Sequence, residues 1–318
     1  MRSVFTLLTL ILLSIGGYSQ TLSNKLEEIG KRNHLTGMSV CVIKSGKPIC
    51  KVNEGFRDIA RNLPVNDSTV FRIASISKMF TVTALMQLYD QGRFKLTDDV
   101  SSYLGFKLQN PNFPNVPITF TMLMSHTGSL RDGKGYDDFL SASYQGNSIP
   151  ELRSVLCRDG TRYTEDIWSN SDAPGTGVFS YANINFGILG TLVECISHQR
   201  FDTYCIEHIF KTLQIGASFD VRDISNISNV AVIYRNQDST WTPQNDNYKG
   251  IKPPRRDLSK YKIGSNAEVF APQGGLRISV DDLTKFMLVH QNKGAYGGIR
   301  ILSDSSTRKM HQIVWKSD

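Results

Sequence analysis

A strand pattern that turns directly into a helix pattern is the feature that most constrains this sequence. In "TVFRIASISKMFTVTALMQLYDQG", residues 69–92, the β-rich run Val70–Ile73 breaks at two small residues. Apolar residues then recur with helical spacing until Gly92, where we expect the helix to stop. Ser75 and Lys78 lie at this junction. The junction is therefore the first candidate for a functional site.

The Ser-x-x-Lys pattern has two interpretations. Its spacing places Ser75 and Lys78 on one helical face, with the lysine one turn inward. A helix N-terminus favours a developing oxyanion, and a lysine held in a low dielectric has a depressed pKa and can accept a serine proton. The alternative is a capping serine beside a snorkelling lysine. The pattern recurs at Ser259/Lys262 and Ser306/Lys309, both of which we expect to be solvated.

A Tyr-x-Asn pattern also occurs twice, at Tyr181/Asn183 and Tyr234/Asn236. Only the first copy follows a Pro-Gly turn and precedes an apolar helix pattern, in "APGTGVFSYANINFGILG". A tyrosine near a lysine cation can serve as a phenolate base, and a nearby amide can hold the lysine and a substrate amide. A packed tyrosine and a helix-capping asparagine would produce the same pattern.

Several blocks together resemble the serine β-lactamase-related hydrolases. This family comprises class C β-lactamases, D-alanyl-D-alanine carboxypeptidases, D-aminopeptidases and β-lactamase-like esterases. The resemblance runs from about Met38 to Trp315, and its blocks recur in order. They are "FRIASISKMFTVTALMQL", "KLTDDVSSYL", "ITFTMLMSHTGSLRDG", "PGTGVFSYANINFGILGTLVE" and "FAPQGGLRISVDDLTKFM".

The resemblance implies a role for each matching residue. Ser75 would be the nucleophile, Lys78 its activator, Tyr181 the proton shuttle and Asn183 a residue that positions substrate. The family uses no metal or other cofactor, forms an acyl-enzyme on the serine and hydrolyses it with water. We expect His126 to be a structural residue at a helix end. An α/β-hydrolase is disfavoured because the chain contains no Gly-x-Ser-x-Gly elbow.

Strand patterns cluster near the N-terminus and helix patterns in the middle, which predicts an α+β architecture. The resemblance implies an antiparallel sheet flanked by helices, plus a mainly helical lobe. One departure concerns the family's third motif, a Lys/His-x-Gly strand beyond the Gly-Gly-Leu helix, which has no counterpart before the chain stops at "MHQIVWKSD". The chain is therefore interpreted as C-terminally incomplete, or as a variant without full activity, and an unpaired edge is expected on its N-terminal hairpin.

The first residues predict export. "MRSVFTLLTLILLSIGGYSQ" has a basic start, a short apolar run and small residues suited to signal-peptidase cleavage before Gln20. An uncleaved anchor is disfavoured because a membrane span needs about 20 apolar residues. We therefore expect a signal peptide at residues 1–19, a single hydrolase domain at 20–318, and a secreted or periplasmic location.

Cysteines and charge add further expectations. "GMSVCVIKSGKPICKVNEG" predicts two strands joined at Ser45-Gly46, a register that would place Cys41 opposite Cys50 and allow a disulfide. The net charge is +7, with a local excess in "KGIKPPRRDLSKYK" that we interpret as a solvated loop. Zinc-type spacing and basic stripes with interleaved aromatic residues are lacking in the sequence, so metal and nucleic acid are poor candidates for partners.

Taken together, these observations predict an exported serine hydrolase that cleaves an amide or ester bond through an acyl-enzyme. A β-lactam, a D-Ala-type peptide and a carboxylic ester all remain candidate substrates, so the expected partner is a small molecule or a peptide. The competing hypothesis is a non-catalytic family member that binds a ligand or acts as a scaffold. The oligomeric state is left open.

Overall fold

The structure is a computed structural model that describes residues 20–145, 148–238 and 240–316. The predicted signal peptide lies outside these residues. In the part of the chain that the structure describes, no helix combines the length and apolarity needed to cross a membrane.

The first sheet is antiparallel and confirms the predicted hairpin. Its strands are β1 (Gly37–Lys44), β2 (Lys47–Asp58) and β3 (Leu63–Pro64), in the order β1-β2-β3. Ser45 and Gly46 form the loop with φ values of 52° and 74°, as a tight two-residue hairpin loop requires. Over the described residues, β1 pairs with β2 alone.

The predicted pairing of Cys41 with Cys50 is wrong by one residue. The register shifts between Val42 and Ile43, so Cys41 lies opposite Lys51, and Cys50 lies opposite Val42. Successive side chains of a strand point to opposite faces, so the two thiols point away from each other. All five cysteines are free, and no disulfide is formed.

Helices cover both faces of this sheet. Helix α1 (residues 20–32) lies against the face that carries Cys50, whose Sγ is 3.2 Å from Ser23 Oγ. On the other face, Lys51 Nζ forms an ion pair of 2.9 Å with Asp281 of helix α10 (Val280–Gln291). The predicted arrangement of a sheet flanked by helices is therefore confirmed.

Three two-stranded pairings complete the β structure. The strands are β4 (Val70–Arg72), β5 (Ile233–Gln237), β6 (Thr240–Asn245), β7 (Arg277–Ser279), β8 (Ala295–Tyr296) and β9 (Ile299–Arg300). β4 pairs antiparallel with β7, which is distant in sequence, and Ile73 N donates to Leu276 O at 3.0 Å. This pairing brings the Gly-Gly-Leu turn against the strand-to-helix junction that contains Ser75.

The remaining helices form the second lobe. They are α2 (Ser77–Asp90), α3 (Ser101–Leu104), α4 (Phe120–Met124), α5 (Lys134–Gln145), α6 (Arg153–Leu156), α7 (Ile184–Ser197), α8 (Phe201–Cys205), α9 (Lys211–Leu213) and α11 (Asp304–Met310). A π-helical segment, Ile206–Phe210, joins α8 to α9, so the helical stretch over 201–213 is continuous but irregular. Helix α11 is followed by the cap residue His311, whose backbone N–H donates to the carbonyl oxygens of the last turn.

Helices α2 and α7 lie in the main apolar core. Most of their residues are buried, including Phe80, Leu85, Ile188 and Leu192 at 0% exposure. A helix that is apolar on most sides belongs in an interior. Helix α2, which contains Lys78, and helix α7, which begins directly after Asn183, are therefore both anchored in the core.

Candidate active site

Ser75 lies in a short 3-10 helix, Ala74–Ile76, between β4 and α2. Ala74 adopts a positive φ of 45°, a conformation that lets the chain turn sharply from the strand into the helix. The Ser75 side chain is exposed, whereas Lys78 in the first turn of α2 is only 7% exposed. The junction thus presents a hydroxyl to solvent and buries the amine beneath it.

Three oxygen atoms surround the Lys78 ammonium group. Nζ donates to Ser75 Oγ at 3.2 Å, to Asn183 Oδ1 at 2.9 Å and to the carbonyl oxygen of Gln273 at 2.7 Å. An ammonium group has three N–H donors, so its hydrogen-bonding capacity is used in full. The carbonyl of Gln273 has no signature in the sequence, because any residue supplies a backbone oxygen.

Tyr181 completes the arrangement on the other side of Ser75. Its hydroxyl lies 2.8 Å from Ser75 Oγ, and its ring lies 5.0 Å from Lys78 Nζ. Contacts of a cation with an aromatic face are attractive at this range. The structure therefore brings together all four predicted site residues: Ser75, Lys78, Tyr181 and Asn183.

Asp132 is a site residue that the sequence analysis missed. Its carboxylate accepts from Asn183 N at 2.9 Å, from Asn183 Nδ2 at 2.9 Å and from Ile184 N at 3.0 Å. It therefore caps the N-terminus of α7 and turns the Asn183 oxygen toward Lys78. Asn183 itself makes no side-chain cap, so the capping interpretation of that residue is wrong. The signal available in the sequence was the position of Asp132 within the block "ITFTMLMSHTGSLRDG".

His126 follows α4 with a positive φ of 58°, as expected for a structural residue at a helix end. Its ring stacks on Tyr181 with centroids 4.5 Å apart, and Nδ1 accepts from Ala182 N at 3.2 Å. Burial, and then the positive charge of Lys78, lower the pKa of His126 to about 4. The neutral ring therefore supports the tyrosine and carries its proton on Nε2.

A buried carboxyl group lies behind the lysine. Glu268 Oε1 accepts from Tyr136 OH, and burial raises the pKa of Glu268 to about 8. A Cβ placed on Gly187 of α7 would come within 2.4 Å of Glu268 Oε2, so any larger residue there would displace the Glu268 carboxyl group. The sequence analysis did not identify Glu268, because its partners come from distant parts of the chain.

The other copies of the two patterns lie elsewhere. Ser259 and Lys262 are exposed in the basic loop, as predicted. Ser306 is fully buried and donates to Asp90 Oδ1 at 2.6 Å, so its predicted solvation is wrong. The phenol of Tyr234, in β5, accepts from Ile59 N.

The basic segment is an irregular loop, but it is not wholly solvated. Arg255 pairs with Asp223 at 2.7 Å, and half-buried Arg256 donates to Ser143 O.

Within residues 20–145, 148–238 and 240–316, no group of three or more His, Cys, Asp or Glu side chains could hold a metal ion. The site's own donors are hydroxyl, amine and amide groups.

Comparisons with known proteins place nearly the whole described chain in one family. A family profile described as "Beta-lactamase" matches residues 22–316. Protein flp of Staphylococcus aureus (strain MW2) is 25% identical over 196 residues, which cover 62% of this chain and 37% of that protein. Penicillin-binding protein 4 of Amycolatopsis lactamdurans is 24% identical, covering 91% of this chain and 68% of that protein. The match thus spans about two fifths of the length of the first curated relatives.

Solved structures share the fold. The octameric penicillin-binding protein homologue from Pyrococcus abyssi has a TM-score of 0.70 at 23% identity, covering 93% of this chain and 61% of that one. EstCE1, a hydrolase with promiscuous acyltransferase activity, has a TM-score of 0.68 at 20% identity, covering 94% and 77%. These similarities confirm a β-lactamase/transpeptidase-like α+β fold.

Proposed function

Since the chain belongs to the Beta-lactamase family, we propose that it is an exported serine hydrolase that cleaves an ester or amide bond by acyl transfer to Ser75. One observation carries the proposal. Ser75 Oγ is exposed and lies within hydrogen-bonding distance of both Lys78 Nζ, at 3.2 Å, and Tyr181 OH, at 2.8 Å. Nucleophile and base side chains at such distances are the mark of an activated hydroxyl.

Acylation proceeds on this geometry as follows. Ser75 Oγ bonds to the substrate carbonyl carbon while its proton passes to the Lys78–Tyr181 pair. The pair then protonates the leaving alcohol or amine as its bond to the carbonyl carbon breaks. Water next attacks the acyl carbon and gives a proton to the pair, and Ser75 regains that proton when the ester to the enzyme breaks. The two basic residues act as a unit in this scheme.

The surrounding residues support the charge changes. The backbone N–H of Ser75 belongs to the first turn of a short helix, where N–H groups lack helical partners and can face a developing oxyanion. Lys78 stabilises a negative oxygen on Ser75 or on Tyr181 by donating to it. Asn183 accepts from Lys78 and donates to Asp132, and in this proposal its remaining amide N–H donates to a polar group of the substrate.

The substrate class is a carboxylic ester, a D-Ala-type peptide or a β-lactam. A relative that is a penicillin-binding protein and a structural neighbour that is a hydrolase with promiscuous acyltransferase activity support an acyl donor as substrate. Export follows from the predicted signal peptide at residues 1–19.

Labelling tests the proposal directly. The purified chain is incubated with a serine-reactive fluorophosphonate, and its intact mass is recorded. We expect one probe-sized gain that disappears in Ser75→Ala and persists in Ser259→Ala, the matched serine of an exposed copy of the pattern. A folded chain whose Ser75 is not labelled would instead favour a non-catalytic protein that binds a ligand or acts as a scaffold.

A further inference from the structure

An apolar cavity lies along the side chain of Lys78. Its volume is about 260 Å³, and α2, α4 and the segment after α11 contribute to its walls. Its apolar lining includes Met79, Val82, Met86, Leu96, Met124 and Phe186. Lys78 also lines it, and the Nζ of this residue contacts Ser75 Oγ. The cavity is therefore separated from the atom that would carry the acyl group by the side chain of Lys78.

The hydroxyl groups in the cavity wall are already engaged. Thr121 Oγ1 donates to Leu96 O at 3.1 Å, and Ser125 Oγ donates to Thr121 O at 2.8 Å. Two further polar residues of the lining, Lys309 and Gln312, are exposed and thus belong to the outer rim. A polar group of a substrate would lose its hydrogen bonds to water here and find few replacements. An alkyl chain, in contrast, is stabilised by its transfer out of water.

Apolar side chains also continue from the cavity to the surface. Val314 lines the cavity and is 61% exposed. The next residue, Trp315, stacks on Phe179 with ring centroids 4.9 Å apart. Phe179 in turn contacts the His126 ring that supports Tyr181. Apolar side chains thus connect the outer part of the cavity wall with the tyrosine side of the site.

We propose that this cavity binds the acyl chain of the substrate, and that the preferred substrates are esters of medium-length aliphatic acids. The inference rests on the proposed function, because it assumes that Ser75 accepts the acyl group. The chemical step is unchanged, and the cavity holds the alkyl chain while the carbonyl carbon reacts. Ligand pockets usually measure roughly 300–1,000 Å³, so a cavity slightly below that range suits a linear chain better than a bulky ring system.

A series of p-nitrophenyl esters tests the inference. Release of p-nitrophenolate is measured for acetate, butyrate, octanoate and palmitate, with the rate of Ser75→Ala subtracted. Since one methylene in a hydrophobic pocket changes kcat/KM by about tenfold or more, we expect octanoate to exceed acetate by at least about tenfold. Palmitate should fall below octanoate because its chain exceeds the cavity.

Variants locate the effect. Val82→Phe fills the cavity and should lower the octanoate-to-acetate ratio of kcat/KM about tenfold, whereas Ile251→Phe, at an exposed loop position, should preserve that ratio. If circular dichroism shows that Val82→Phe is unfolded, Met124→Ala replaces it and should shift the preference toward longer chains by enlarging the cavity.

The outcomes separate the two proposals. Ser75-dependent release that ignores chain length, or a ratio that the cavity variants do not change, would overturn the acyl site and leave the hydrolase intact. Ser75-dependent cleavage of a D-Ala peptide without cleavage of any ester would also overturn it. A folded chain with no Ser75-dependent reaction would overturn both proposals.

Discussion

Two regions of the molecule contain the same Ser-x-x-Lys pattern with opposite burial. At the start of α2, Ser75 is exposed and Lys78 is buried. In α11, Ser306 is buried at 0% exposure and Lys309 is exposed. Acyl transfer needs an accessible hydroxyl over a shielded amine, so only the first region has the required polarity. Identical spacing therefore does not identify a nucleophile.

The difference arises from what packs against each helix start. Lys78 is enclosed by the N-terminal end of α7 and by the turn that contains Gln273, both of which supply oxygen acceptors. Ser306 instead faces the C-terminal end of α2, where Asp90 Oδ1 accepts a hydrogen bond from its hydroxyl. In the proposed mechanism the burial of Lys78 serves proton transfer, whereas the buried hydrogen bond of Ser306 attaches α11 to α2.

Of the changes that test this comparison, removal of the buried amine of Lys78 should have the largest effect on activity. We expect Lys78→Ala to lower kcat/KM by about 10²–10⁴-fold, the usual contribution of a positioned proton-transfer group. Lys262→Ala, from the exposed copy of the pattern in the basic loop, should change it less than about twofold because its lysine contributes little beyond a surface charge. Steady-state ester or amide hydrolysis measures both. Equal losses in the two variants would contradict the assignment of the pair.

The second largest effect should be a loss of folding stability at acidic pH, caused by buried His126. The pKa of folded His126 is about 4, below its ordinary 6.5, so the unfolded chain binds a proton that the native chain does not. This contribution to stability is complete above the ordinary value and declines as the pH falls toward 4, by up to about 3 kcal/mol. Urea unfolding of wild type, His126→Gln and the exposed control His34→Gln at neutral and acidic pH checks it. An undiminished acid sensitivity in His126→Gln would show that other groups cause the loss.

Variants of Asp132 test whether its carboxylate holds Asn183, the hydrogen-bond partner of Lys78, in position. Asp132→Ala removes the acceptor of two backbone N–H groups of α7 and of the Asn183 amide. We expect a loss of about 0.5–2 kcal/mol in the free energy of unfolding, as for other lost caps, with a reduction in kcat. Asp132→Asn keeps one acceptor oxygen and should recover part of kcat. A change in stability with an unaltered kcat in both variants would mean that Asp132 only caps α7 and does not support the reaction.

The second region should give the smallest effect. Ser306→Ala removes a buried hydrogen bond to Asp90, which costs about 1 kcal/mol of unfolding free energy. The catalytic rate per folded molecule should stay constant. Ser305→Ala, at an exposed position in the same helix, provides the control in chemical denaturation. A loss of turnover in Ser306→Ala without a loss of stability would mean that the comparison between the two regions is wrong.

Local signals predicted much of this structure. The turn at Ser45-Gly46 and the apolar period of α7 produced correct elements. The predicted hairpin register is wrong because an irregularity between Val42 and Ile43 shifts the partners of all β1 residues before Ile43 by one residue. Side-chain spacing cannot reveal such an insertion, since an extra residue in one strand leaves the apolar pattern plausible.

The sequence by itself determined the strand-to-helix junction at Ser75, the Tyr181 and Asn183 block, and the family to which the chain belongs. Only the tertiary structure decided that these blocks meet, that Lys78 is the buried lysine, and that Asp132 and the Gln273 carbonyl join them. The reason is physical. Spacing along a chain reports local geometry, but desolvation and hydrogen-bond partners come from residues that are distant in sequence.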